Sequence, residues 1–194
     1  VSTVPDLYPT EPASVRLMNT VWADRSGAHD ALLTPSQLQE WWSLVRFDPP
    51  RPATEDDLDR YRDLRGAMRR IAAQATGDTR EHARRDEPAL EQALEVLNRH
   101  VTREPLTLSW DAEQGFTLDW PRPARPSLSD HLESLARETA SIVSGGDSPL
   151  RACYGPGCVL YFVREHTRRE WCSAGCGNRA RVARHYHRTR STGG

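Results

Sequence analysis

CYGPGCVLYFVREHTRREWCSAGCGNRARVARHYHRTR, running from Cys153 to Arg190, holds all four cysteines of the 194-residue chain within its first 24 positions. Their spacing is C-x4-C-x13-C-x3-C, from Cys153, Cys158, Cys172 and Cys176. Two close pairs separated by a hairpin-length insert are how a chain brings four thiolates to the corners of a tetrahedron around zinc. Two disulfides, a redox-active dithiol and an iron–sulfur site are the competing readings, and a cytoplasmic setting argues against the disulfides. Gly155 and Gly157, flanking Pro156, supply backbone freedom where a Cβ would obstruct a metal knuckle. Four sulfurs fill the coordination sphere of zinc, so such an ion is structural, with no open position for water or substrate. In small modules it contributes roughly 10–16 kcal/mol, often the whole folding free energy.

The insert VLYFVREHTRREW, apolar at its ends and charged in its middle, reads as a hairpin leading from the first pair to the second. Ser173 is placed to cap a helix that carries Cys172 and Cys176 on one face and continues through NRARVARHYHRTR. In this reading Val182 and Tyr186 face the core while Arg181, Arg184 and Arg188 face elsewhere. His185 and His187, two apart on a helix, point to different sides and make poor joint metal ligands. Trp171 reads as packing under the metal site.

Charge divides the chain sharply. Residues 151–194 hold nine arginines against Glu165 and Glu170, giving +7, so residues 1–150 carry −8 of the overall −1. A positive C-terminal module points to a polyanion. Arg168, Arg169, Arg179, Arg181, Arg184, Arg188 and Arg190 are the candidate DNA-binding residues, because guanidinium grips phosphate and reads guanine edges bidentately. An acidic protein surface, the chain's own first domain included, and a merely solvated basic helix are the alternatives. Arg179, so close to the metal, fits a structural role as well as it fits DNA.

Upstream the pattern is mainly helical. Thr34-Pro35-Ser36-Gln37 is a capping-box arrangement with proline at the first helical position, predicting a helix from Pro35 to about Val45. After the DPPRP break, Thr54 and Asp57 cap a second helix, apolar at 58, 61, 64, 68, 71, 72 and 75, stopping near Gly77. Leu90, Leu94, Leu97 and Val101 mark a third helix, and Leu128 to Val143 a fourth. Between them the period falls to two: Leu106, Leu108 and Trp110, then Phe116, Leu118 and Trp120, predict a β-hairpin with one buried face. The fold class is therefore a mainly α (α+β) N-terminal domain with one β-hairpin, a hinge near Gly145 to Pro149, and a small four-cysteine finger made of a hairpin plus a helix. Trp22, Trp41, Trp42, Trp110 and Trp120 read as core of the first domain.

Trp171-Cys172-Ser173-Ala174-Gly175-Cys176-Gly177-Asn178-Arg179, with its upstream C-x4-C, closely resembles the CGNR zinc finger, over residues 149–190. Asn19-Thr20, the Asp30 region and LTPSQLQEWW resemble the ABATE domain that precedes this finger, over residues 13–146. The resemblance implies a DNA-binding, stress-response transcription regulator whose N-terminal domain senses or assembles. Asn19, Thr20, Asp30 and Trp42 are candidates for a small-effector pocket, with turn and cap chemistry as their plainer reading. The acidic domain could instead mediate homodimerisation or mask the finger. A protein-interaction module docking acidic partners and a redox or zinc sensor are the rival functions.

Residues 1–150 contain no phosphate loop, nucleophile elbow or H-E-x-x-H, so no enzyme is expected. No run of about 18 apolar residues exists, which excludes a helical membrane span and leads to the expectation of a soluble, cytoplasmic protein.

Overall fold

The structure, a computed structural model, describes residues 4–5, 7–80, 88–101, 107–111, 115–119, 126–144 and 148–191. In chain order the elements are α1 (Ala13–Met18), β1 (Val21–Asp24), β2 (Gly27–Asp30), α2 (Pro35–Leu44), α3 (Glu55–Thr76), α4 (Leu90–His100), β3 (Thr107–Asp111), β4 (Gly115–Asp119), α5 (Leu128–Val143), β5 (Leu150–Ala152), β6 (Tyr161–Val163) and α6 (Ala174–Ser191).

Local chemistry sets the helix starts. Thr34 with Gln37, Thr54 with Asp57 and Ser127 with Asp130 each form a reciprocal capping box, satisfying backbone donors that a helix start otherwise leaves without partners. Arg51 grips Asp57 with two bonds, so hydrogen bonding to that guanidinium holds the carboxyl below the usual carboxylate range. α3 stops at Gly77, which adopts the left-handed conformation at φ 58°.

The long α3 is the central element, packed by α1, α2, α4, α5 and β5. Its apolar stripe, with Leu58, Tyr61, Leu64 and Met68 fully buried, meets Leu17, Trp42 and Leu132 from other helices. Leu150, Ala152 and Tyr161 of the C-terminal module belong to the same hydrophobic cluster. A second cluster gathers the four cysteines with Val159, Leu160 and Phe162, fringed by Tyr8, Trp22 and Trp171. The expected hinge at Gly145 to Pro149 falls partly outside the described residues, at 145–147.

The first domain is mainly helical with a β-hairpin and the finger combines a hairpin with a helix, as expected, but details within them differ. An additional antiparallel hairpin, β1 with β2, pairs Val21 with Asp30 and Asp24 with Gly27; its strands carry no period-two apolar pattern to announce it. The anticipated hairpin β3–β4 exists, pairing Leu108 with Leu118 and Trp110 with Phe116, but Trp110 is 65% exposed. Alternation specifies which residues share a face, whereas burial needs an element to cover it. Leu106 and Trp120 lie outside the described residues, as do the side chains of Leu108, Phe116 and Leu118. Of the other tryptophans, Trp41 and Trp42 are core, while half-buried Trp22 stacks on His29 and fringes the cysteine cluster.

The finger's hairpin is also displaced. β5 pairs with β6, Leu150 opposite Val163 and Ala152 opposite Tyr161, so Cys153 and Cys158 sit in its turn and not before it. The charged half of the insert is irregular.

Candidate metal centre and nucleic-acid interface

The knuckle between β5 and β6 presents Cys153 and Cys158, the bend leading into α6 presents Cys172, and the first turn of α6 presents Cys176, so the second pair does not share one helical face, contrary to expectation. All four sulfurs are buried and lie within 4.8 Å of one another. Cys158 and Cys172 sulfurs are 3.8 Å apart, those of Cys172 and Cys176 3.4 Å. Tetrahedral zinc with bonds of about 2.3 Å requires sulfur separations of about 3.8 Å, so the cage fits the ion. Ser173 caps α6 by accepting the Cys176 N–H at 3.2 Å, and Cys153 sulfur accepts the Cys172 N–H at 3.4 Å. Gly155 lies so close to Cys176 that an added Cβ would come within 2.8 Å of its Cβ. The close approach, and not a positive φ, is what requires glycine there; Gly157 has the positive φ, 71°.

Crowding polarises the thiols. Hydrogen bonds from neighbouring sulfurs, Cys158 foremost for Cys153 and Cys153 foremost for Cys176, hold these two below the ordinary thiol range. Bonding to Cys153 pushes Cys158 and Cys172 up. Four thiols this close cannot all ionise unaided, and a dication is what allows all four to be thiolates together. Arg179 donates to Cys176 sulfur at 3.0 Å, placing this arginine at the cage.

The remaining arginines divide. Arg169 is half-buried: it donates to Glu11 at 2.5 Å, to the carbonyl of Val163 at 2.9 Å and to that of Cys172 at 3.2 Å, and lies 5.0 Å from the Phe162 ring centroid. Arg168, Arg181, Arg184 and Arg188 are exposed, Arg181 donating to Asn178. The side chain of Arg190 lies outside the described residues. Val182 and Tyr186 do not face the core as expected; they are 55% and 67% exposed. The buried side of α6 is made of Cys176, Gly177 and Ala180, with Trp171 against Gly177, and this short face leaves the later turns outside the packing.

The sequence model of the CGNR zinc finger matches residues 150–189, and that of ABATE, described as "Putative stress-induced transcription regulator", matches residues 11–146. The chain belongs to the ABATE family. None of the curated proteins matches the sequence. The ABATE protein carries a CGNR finger whose four-cysteine cage is a structural zinc site, held by Cys153, Cys158, Cys172 and Cys176. Bound there, zinc supplies cross-linking of the knuckle to α6. Among the described residues no helix is long and apolar enough to cross a membrane.

Of the motif residues of the ABATE domain, Asn19, Thr20 and Trp42 are buried and Asp30 is partly exposed; Asn19 and Thr20 line a small cavity with Arg16 and Trp41, which Asp30 and Trp42 do not join. Asn19 exchanges two hydrogen bonds with the backbone of Tyr161. Arg65 donates to Thr20 at 2.8 Å and to both oxygens of Asp30 at 2.6 Å. Trp42 is fully buried, edge-on to Phe47 and Tyr61. Sequence reasoning passed over the buried charges Glu11, Arg65, Arg69, Asp78 and Arg80. Their one signal is Arg65 and Arg69 standing within the apolar rhythm of Leu64, Met68 and Ala72.

Proposed function

We propose that this protein is a DNA-binding transcription regulator that acts by binding, without a catalytic step, and that α6 is the element entering the groove. The observation that carries this reading is the outward face of α6. Helical spacing sets Arg181, Arg184 and Arg188 along one edge, and the exposed Val182 and Tyr186 on the adjoining face. Arginines along an edge suit phosphate, which positions a protein, and neutral side chains between them suit base edges and thymine methyl groups, which specify sequence. Arg169 and Arg179, engaged by Glu11 and by Cys176, serve the fold and the cage in this reading. Among the described residues the acidic domain does not cover α6 at these positions, so masking of the finger is not part of the proposal.

The exposed Val182–Tyr186 pair favours a second reading, a zinc-stapled helix docking an acidic protein partner. Fluorescence anisotropy of the zinc-loaded protein on duplex DNA from upstream of its own gene separates the two. Three or four arginine–phosphate contacts predict a loss of about 40- to 150-fold in affinity between about 50 and 200 mM salt, with unrelated duplex competing poorly. Absence of binding at low salt, with zinc content confirmed, would rule out the DNA reading and turn the search to acidic proteins.

A further inference from the structure

We infer that the zinc site is a composite of both domains, with Arg80 of the ABATE domain as the positioning residue that holds the cysteine-bearing backbone in its metal-binding shape. Arg80 follows α3 by four residues. The Gly77 turn folds the chain back, the Asp78 N–H donating to the Ala73 carbonyl at 2.8 Å. Asp78 then fixes the guanidinium: its two oxygens accept from Arg80 Nε at 2.8 Å and Nη2 at 2.6 Å, and the Arg80 backbone N–H adds a third bond at 2.9 Å. Tyr161 of the finger donates to the same carboxylate at 2.8 Å.

With one edge of the guanidinium occupied, Nη1 is aimed at the knuckle. It donates to the carbonyls of Cys153 at 2.8 Å, Cys158 at 3.1 Å and Leu160 at 3.2 Å. A single group from the first domain thus ties together both arms of the loop that carries the first cysteine pair. The rings of Tyr161 and Tyr154 lie over the guanidinium, at 5.2 and 5.6 Å. Arg69 repeats the pattern one step away, donating to the Val159 carbonyl at 3.3 Å and to Met18 at 3.0 Å. Arg80 and Asp78 are 7% and 3% exposed, so these bonds form away from competing water.

Charge gives the arrangement its direction. Zinc with four thiolates carries a net charge of −2 in a buried site, and a buried dianion is stabilised by cations and donors held around it. Arg179 reaches Cys176 sulfur from α6, Arg169 reaches the Cys172 carbonyl, and Arg80 covers the carbonyls of Cys153 and Cys158. Two of the three are secured by carboxylates of the ABATE domain, Glu11 and Asp78.

Groups that hold metal ligands in place typically change affinity about 10- to 100-fold when removed. The test is competition for zinc between the full-length protein and a chromophoric chelator. Arg80→Met should weaken zinc binding by about that factor. Arg65→Met is the control: it removes an equally buried guanidinium, 6% exposed, whose bonds to Thr20 and Asp30 do not touch the finger. It should lower thermal stability and leave zinc affinity near that of the unaltered chain. Arg80→Lys, able to reach a carbonyl but not to bridge Asp78, should fall between. Unchanged affinity in Arg80→Met, or equal weakening in Arg65→Met, overturns the inference. Should Arg80→Met fail to fold, Arg80→Lys against Arg65→Lys decides it by the same comparison. The outcome is independent of DNA binding.

Discussion

The side-chain amide of Asn19 donates to the Tyr161 carbonyl at 2.9 Å while its oxygen accepts the Tyr161 N–H at 3.0 Å, so one side chain at the end of α1 pairs with β6 as a neighbouring strand would. Both residues are buried, at 2% and 0% exposure, and water cannot replace the bonds. Asn19→Ala leaves a donor and an acceptor buried without partners, at about 1–3 kcal/mol each. The zinc-loaded variant should melt about 5–15 °C below the unaltered protein in a calorimetric scan; a shift within about 2 °C would show that β6 is held by other contacts.

Two glycine substitutions should act in opposite directions. Gly155→Ala forces a methyl against Cys176 and should weaken zinc retention. Gly66→Ala meets nothing within 4 Å on α3, and should raise stability by about 0.5–1 kcal/mol through helix propensity. Chelator competition and denaturant unfolding read the two effects separately.

Acid should loosen the first domain through His131. The ring stacks on Phe47 at 4.0 Å and shares a 2.7 Å hydrogen bond with the Tyr61 hydroxyl, and burial brings its pKa down from 6.5 to about 4. The unfolded chain therefore binds this proton first. The His131 contribution is complete above about pH 6.5 and is lost as the pH falls towards about 4, amounting to at most about 3 kcal/mol. In His131→Gln, unfolding free energy should lose that part of its slope across pH 4–6.5.

Metal removal should spare most of the helical structure. The large hydrophobic cluster built on α3 contains none of the cysteines, which lie in the second cluster. Chelation should make all four thiols reactive to alkylation, countable by mass, and abolish the packing of α6, while ellipticity from α2 to α5 persists. Collapse of all helical signal on chelation would mean that the larger core cannot stand without the finger.

By itself the sequence determined what short-range chemistry decides. Capping boxes at Thr34 and Thr54, the stop at Gly77, the helical rhythm of α3 and the spacing of Cys153, Cys158, Cys172 and Cys176 are local patterns, each enforced by groups a few residues apart. The tertiary structure decided everything that depends on a distant partner. Arg65, Arg69 and Arg80 acquire their roles only when Asp30, Met18 and the knuckle carbonyls are brought to them. Asn19 reads as a turn or pocket residue until β6 arrives, 142 positions later. Val182 and Tyr186 have core-like spacing but no covering element, and so face outward. The physical reason is one of range: a cap or a ligand spacing is satisfied within a turn or two of chain, whereas burial of a charge or an apolar face is a property of what the rest of the fold places against it.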